Sequence, residues 1–153
     1  MANLGFITFQ DVKERQVLWL FFPMLAIQFT LLHYIQLDSG LILLWEIATN
    51  WLLVTCVILV LYTYTKLIAK IPFLGHSMGL GDILFFYAFG TGFGTTVFVV
   101  LLATSILFSL FSFLALKHRM QSKTVPLAGF MGLFLIAVLG FSEIFNSTML
   151  YGY

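Results

Sequence analysis

Residues 83–116 read ILFFYAFGTGFGTTVFVVLLATSILFSLFSFLAL, 34 positions without a charge. At about 1.5 Å per residue, an unbroken helix of that length measures about 50 Å, against a hydrocarbon core of about 30 Å. One crossing cannot use it. Gly90-Thr91-Gly92-Phe93-Gly94 supplies a break, so the stretch predicts two helices joined by a tight turn. Downstream, Lys117-His118-Arg119 closes the second arm and residues 125–143 make a further span. Upstream, residues 16–37 carry no charge and predict a span from near Val17 to near Gln36, ended by the turn Asp38-Ser39-Gly40. Residues 41–65 predict another, with Glu46 in its first two turns and Lys66 and Lys70 past its end. A short apolar stub, Leu4–Phe9, precedes Asp11. The expected architecture is all-α: a polytopic helical membrane protein in which residues 1–153 form one integral domain of five full transmembrane helices plus the N-terminal stub.

Composition points the same way. The chain is 61% apolar, 18% aromatic and 8% charged, whereas a soluble domain is roughly one-quarter charged. Seven basic and six acidic residues cannot cover a globule of 153 residues, which excludes a water-soluble fold and disorder. The net charge of +1 gives no pull toward nucleic acid. Cys56 is the single cysteine, so neither an intrachain disulfide nor a CxxC metal site can form. The N-terminal residues run into Asp11-Val12-Lys13-Glu14-Arg15 without a small-residue cleavage site, so the spans themselves are expected to direct insertion.

The basic residues set the orientation. Lys13 and Arg15 precede the first span, Lys66 and Lys70 follow the second, and Lys117, Arg119 and Lys123 lie between the fourth and fifth. With alternating crossings all seven share one face, cytoplasmic by the positive-inside rule. The expected location is a bacterial or archaeal cytoplasmic membrane. The same topology puts Asp38, Glu46 and Glu143 toward the outer side and Asp11, Glu14 and Asp82 on the cytoplasmic side. Asp11 and Asp82 can therefore meet. Asp82 follows Gly79-Leu80-Gly81 and opens an apolar helix; an acid there reads either as functional or as a helix cap.

These two segments resemble a known family. Asp11-Val12-Lys13-Glu14-Arg15-Gln16-Val17 is similar to the D-x-K-x-R-x-[IV] segment around the first aspartate of type IV prepilin peptidases, and Gly79-Leu80-Gly81-Asp82 matches their GxGD motif. Val125-Pro126-Leu127 sits where that family has Ile-Pro-Phe. With the stub counted as the end of a first helix, the order matches the family's six-helix core over nearly the whole chain. The resemblance implies a membrane aspartyl endopeptidase with Asp11 and Asp82 catalytic, supported by Gly79, Gly81, Lys13, Arg15 and Pro126, without metal or cofactor. It implies a prepilin-like membrane substrate with a basic leader, cut at the cytoplasmic face. The chain departs from the family at Leu84, where a lysine is usual, and at Val17-Leu18-Trp19, where Ile-Pro-Asn is usual. Its stub is short, and with one cysteine it lacks the zinc segment that accompanies N-methyltransferase activity in larger members.

Two carboxylates a few ångströms apart do not both ionise easily, so such a pair shares a proton. The charged one can take a proton from the attacking water while the other protonates the scissile carbonyl. Two alternatives stand: a non-catalytic relative acting as a membrane assembly partner, and a small transporter using intramembrane acids. Among other residues, Glu14 reads as solvated or as a substitute dyad member, and His76 as a solvated loop residue or a substrate contact. His33 is expected at an outer interface. Glu46 is expected to snorkel outward or to bond Asn50, four residues on.

Overall fold

The computed structural model describes residues 2–14, 17–37, 39–69, 79–116 and 127–144. Six α-helices carry these residues: α1 Ala2–Glu14, α2 Phe21–Gln36, α3 Gly40–Tyr64, α4 Leu80–Phe89, α5 Thr95–Leu116 and α6 Leu127–Ile144. A π-helical segment, Thr65–Ala69, continues α3. The chain is all-α, as its composition and uncharged runs require. The stub is the body of α1, which extends through Asp11.

Of the five crossings expected, two helices among the described residues, Gly40–Leu67 and Thr95–Leu116, are long and apolar enough to cross a membrane. The shortest, α4, has 10 residues, about 15 Å of helix. The reason is where the break falls. Gly90 follows Asp82 by only eight positions, so the glycine cluster divides the uncharged run into a short arm and a long one.

The α4–α5 turn is buried. Gly90, Thr91, Gly92 and Phe93 are all enclosed, beside Asn50, which lies ten residues into α3. Buried irregular backbone must find partners within the protein. Asn50 Nδ2 donates to both Gly90 O and Phe93 O, each at 2.9 Å. The Thr91 hydroxyl donates to Ala88 O at 2.8 Å and lies 3.2 Å from Ala26 O. Gly92 is needed for the close approach of α2: a Cβ there would lie 2.9 Å from the Phe29 ring.

Around this turn Phe85, Phe89, Phe93 and Phe98 are fully buried. Their rings meet edge-on or tilted, with centroids 5.4 Å apart for Phe89–Phe98 and 5.6 Å for Phe89–Phe93, a favourable arrangement for aromatic quadrupoles. The outer surface is also apolar: Ile35 on α2, Leu41 on α3 and Phe111 on α5 are 78%, 79% and 67% exposed.

At the other end, α1 packs along α6. The contact is tight at Gly132, where a Cβ would come within 2.6 Å of Thr8 Oγ1. Beyond α1 the chain folds back, with Leu18 N donating to Gln10 Oε1 at 3.3 Å and the Phe6 and Phe21 rings stacked at 6.0 Å. Pro23 falls in the first turn of α2, where its missing N–H costs no helical bond.

Candidate active site

Three helix ends converge on Asp11 and Asp82. Asp11 lies in the last turn of α1 and Asp82 in the first turn of α4, and both side chains are half-buried. Between them stands the start of α6, whose first amides have no intrahelical acceptor. Gly129 N donates to Asp11 Oδ2 at 2.6 Å, and Ala128 N donates to Asp82 Oδ1 at 2.9 Å. Adjacent amide nitrogens are three bonds apart, so these two acceptor oxygens lie within about 9 Å of each other. Residues 71 positions apart in the chain thus share one helix terminus. The positive end of the α6 dipole favours negative charge at both.

Asp82 also caps its own helix, because Gly79 N donates to its Oδ2 at 3.2 Å. Its two oxygens therefore tie the start of α4 to the start of α6. Gly79 is extended, with φ −76° and ψ 148°, and a Cβ there would lie 3.3 Å from Asp82 Oδ2. At Gly81 a Cβ would lie 3.4 Å from the Phe22 ring. Both glycines thus sit where backbone approaches a neighbour.

Comparison with family models, curated proteins and solved structures finds no match.

The supporting residues divide. Lys13 is exposed, with its Nζ 5.0 Å from the centre of the Phe9 ring one turn back. Leu84, where the resemblance leads one to look for lysine, is partly exposed on α4. Arg15, Pro126 and His76 lie outside the described residues, as do Asp38, Lys70, Lys117, His118, Arg119 and Lys123; of Glu14 and Glu143 only the helical backbone is described.

One expectation is corrected at the opposite end: the Asn50 amide serves Gly90 O and Phe93 O rather than Glu46. His33, in the last turn of α2, is buried. Glu46 Oε2 lies 3.0 Å from His33 Nε2, and His33 Nδ1 lies 3.2 Å from Thr91 O. A signal for this pair was present: His33 and Glu46 stand five and seven positions either side of Asp38–Ser39, so folding α2 back on α3 brings them close. The role of the α6 amides was missed at the sequence level as well. Its signal was Pro126, which marks a helix start and hence free N–H groups just beyond it.

Proposed function

We propose that the chain is a polytopic membrane aspartyl endopeptidase resembling the type IV prepilin peptidases. In this reading it sits in a bacterial or archaeal cytoplasmic membrane, crosses it repeatedly and holds Asp11 and Asp82 near the cytoplasmic face. The observation that carries the reading is the pairing of Asp11 and Asp82 on the adjacent amides of Ala128 and Gly129. Hydrolysis then follows from two carboxylates sharing a proton. The ionised one removes a proton from water as its oxygen attacks the scissile carbonyl carbon, and the protonated one donates to the carbonyl oxygen. Collapse of the tetrahedral intermediate breaks the C–N bond, and the proton taken from water passes to the leaving amine. Access requires substrate or water to compete with the α6 amides for the carboxylates. The substrate is a prepilin-like membrane protein with a basic leader, and no cofactor enters the scheme.

A second reading is favoured by the same hydrogen bonds. Both aspartates already act as caps, which a non-catalytic assembly partner of the same fold would also need. The test is co-expression with a candidate prepilin. Asp11→Asn and Asp82→Asn keep an oxygen that can accept the α6 amide but remove the ionisable group. Leader removal that stops in both variants supports the peptidase; leader removal that continues in either one overturns it.

A further inference from the structure

We propose that Gly132 is the positioning residue for Asp11: its missing side chain sets how closely α1 approaches α6, and that spacing delivers the Asp11 carboxylate to the Gly129 amide. Two contacts one turn apart define the geometry. Thr8 faces Gly132, where a Cβ would come within 2.6 Å of Thr8 Oγ1. Three residues further along α1, Asp11 Oδ2 accepts from Gly129 N at 2.6 Å, and Gly129 stands three residues back along α6 from Gly132. Residues three apart share a helix face. The two helices therefore run antiparallel through this contact, in a register that sets Thr8 against Gly132 and Asp11 against Gly129.

The register is held from both sides. Leu4 and Ile7 on α1 and Ala128, Met131 and Leu135 on α6 are buried in one apolar cluster, so close packing fixes the spacing. Thr8 does not yield freely. It is branched at Cβ, which restricts its rotamers in a helix, and its hydroxyl donates to Leu4 O at 2.8 Å. Leu4 O itself lies 3.8 Å from the point that a Gly132 Cβ would occupy. A methyl at 132 thus presses on a held hydroxyl backed by main chain. Relief to ordinary contact moves α1 outward by about 0.8 Å or more. Carried one turn along a stiff helix, that shift takes the Asp11–Gly129 bond beyond the usual N–H···O range of about 2.7–3.2 Å. Asp82 is spared, because its donors, Gly79 N and Ala128 N, do not lie on α1.

A reacting group has to be held within about 0.5 Å of its productive place, so the shift is large enough to matter to a two-aspartate reaction. That consequence for hydrolysis rests on the peptidase reading; the spacing of α1 from α6 does not.

Ala128-Gly129 is the only Ala-Gly step in the chain, so protein carrying 13C-carbonyl alanine and 15N-glycine gives a single Gly129 amide signal in lipid nanodiscs. Asp11→Ala supplies the position of that signal without the carboxylate. In Gly132→Ala the signal should move from the wild-type position toward that of Asp11→Ala, and cleavage of a co-expressed prepilin should fall about tenfold or more. Adding Thr8→Ala removes the hydroxyl that the methyl meets and should return both readouts close to wild type. A Gly129 signal that stays put in Gly132→Ala, or that moves and is not restored by Thr8→Ala, overturns the proposal. If Gly132→Ala alone does not fold, the double variant decides. Its Gly129 signal at the wild-type position supports the proposal; a signal at the Asp11→Ala position, or failure to fold, overturns it. A prepilin left uncleaved by the wild type, with the signal moving and returning as stated, removes the peptidase reading and supports the positioning role.

Discussion

The two ends of α4 satisfy buried backbone by opposite chemistry. At its start, the free groups are the N–H donors of α6, and the side chains that meet them are carboxylates, Asp11 and Asp82. At its end, the free groups are the carbonyl acceptors of a turn, and the side chains that meet them are the donors Asn50 and His33. Each end obeys the rule that enclosed backbone must be paired. Only the first brings two acids to adjacent amides of one helix terminus. At the second the acid, Glu46, lies 3.0 Å from a buried histidine ring. A buried acid is therefore not in itself a catalytic one; what its partners offer decides.

The sharpest way to break this comparison is to neutralise each end in turn. At the aspartate end, Asp11→Asn or Asp82→Asn should lower leader cleavage by at least about a hundredfold, read by the size shift of a co-expressed prepilin. Asp11→Asn keeps an oxygen for the Gly129 amide, whereas Asp82→Asn offers one oxygen to two amides, Gly79 N and Ala128 N, and should cost about 1–3 kcal/mol in detergent micelles. At the turn, Asn50→Leu should do the reverse of a chemical lesion. It removes the donor that Gly90 O and Phe93 O share and should cost about 2–4 kcal/mol in denaturant titration.

Close packing offers smaller effects. Gly92→Ala forces a methyl to 2.9 Å from Phe29 and should cost about 1–3 kcal/mol. Gly132→Ala meets the end of a side chain instead, Thr8 Oγ1 at 2.6 Å. Its cost should be about 1 kcal/mol or more and should shrink in combination with Thr8→Ala, a coupling that a double-mutant cycle measures. Lys13→Ala removes only an exposed contact with the Phe9 ring and should change stability by less than about 1 kcal/mol.

Much of the fold was legible because charge and glycine are local signals. The uncharged runs located α2, α3, α5 and α6, and Gly90–Gly94 located the break within 83–116, whereas α1 runs on past the apolar stub through Asp11 to Glu14. How far each half reaches was not legible there. Absence of charge reports that a segment avoids water, not how deep its end lies. A turn can stop part-way along α3 only if donors from elsewhere reach its carbonyls, and those donors, His33 and Asn50, stand 58 and 40 positions away from the oxygens they serve. No window on residues 83–116 displays them.

At the site the balance is similar. Asp11 and Asp82 were singled out by motif and by a shared face, and Gly79 and Gly81 by their place beside Asp82. Glu46 was noticed but given the wrong partner, since the i, i+4 spacing to Asn50 is visible in one helix while the approach of His33 needs two. The Ala128 and Gly129 amides carry no side-chain signature at all.

By itself, then, the sequence determined that the chain is helical, where its helices begin and end within a few residues, and which few acids stand in apolar surroundings. Those properties depend on runs of neighbouring residues. Tertiary structure alone decided that two aspartates meet on one helix terminus, that α4 ends at an enclosed turn and that Glu46 belongs to His33. Each of those is a pairing of groups far apart in the chain, chosen because enclosed donors and acceptors cost free energy until they find each other.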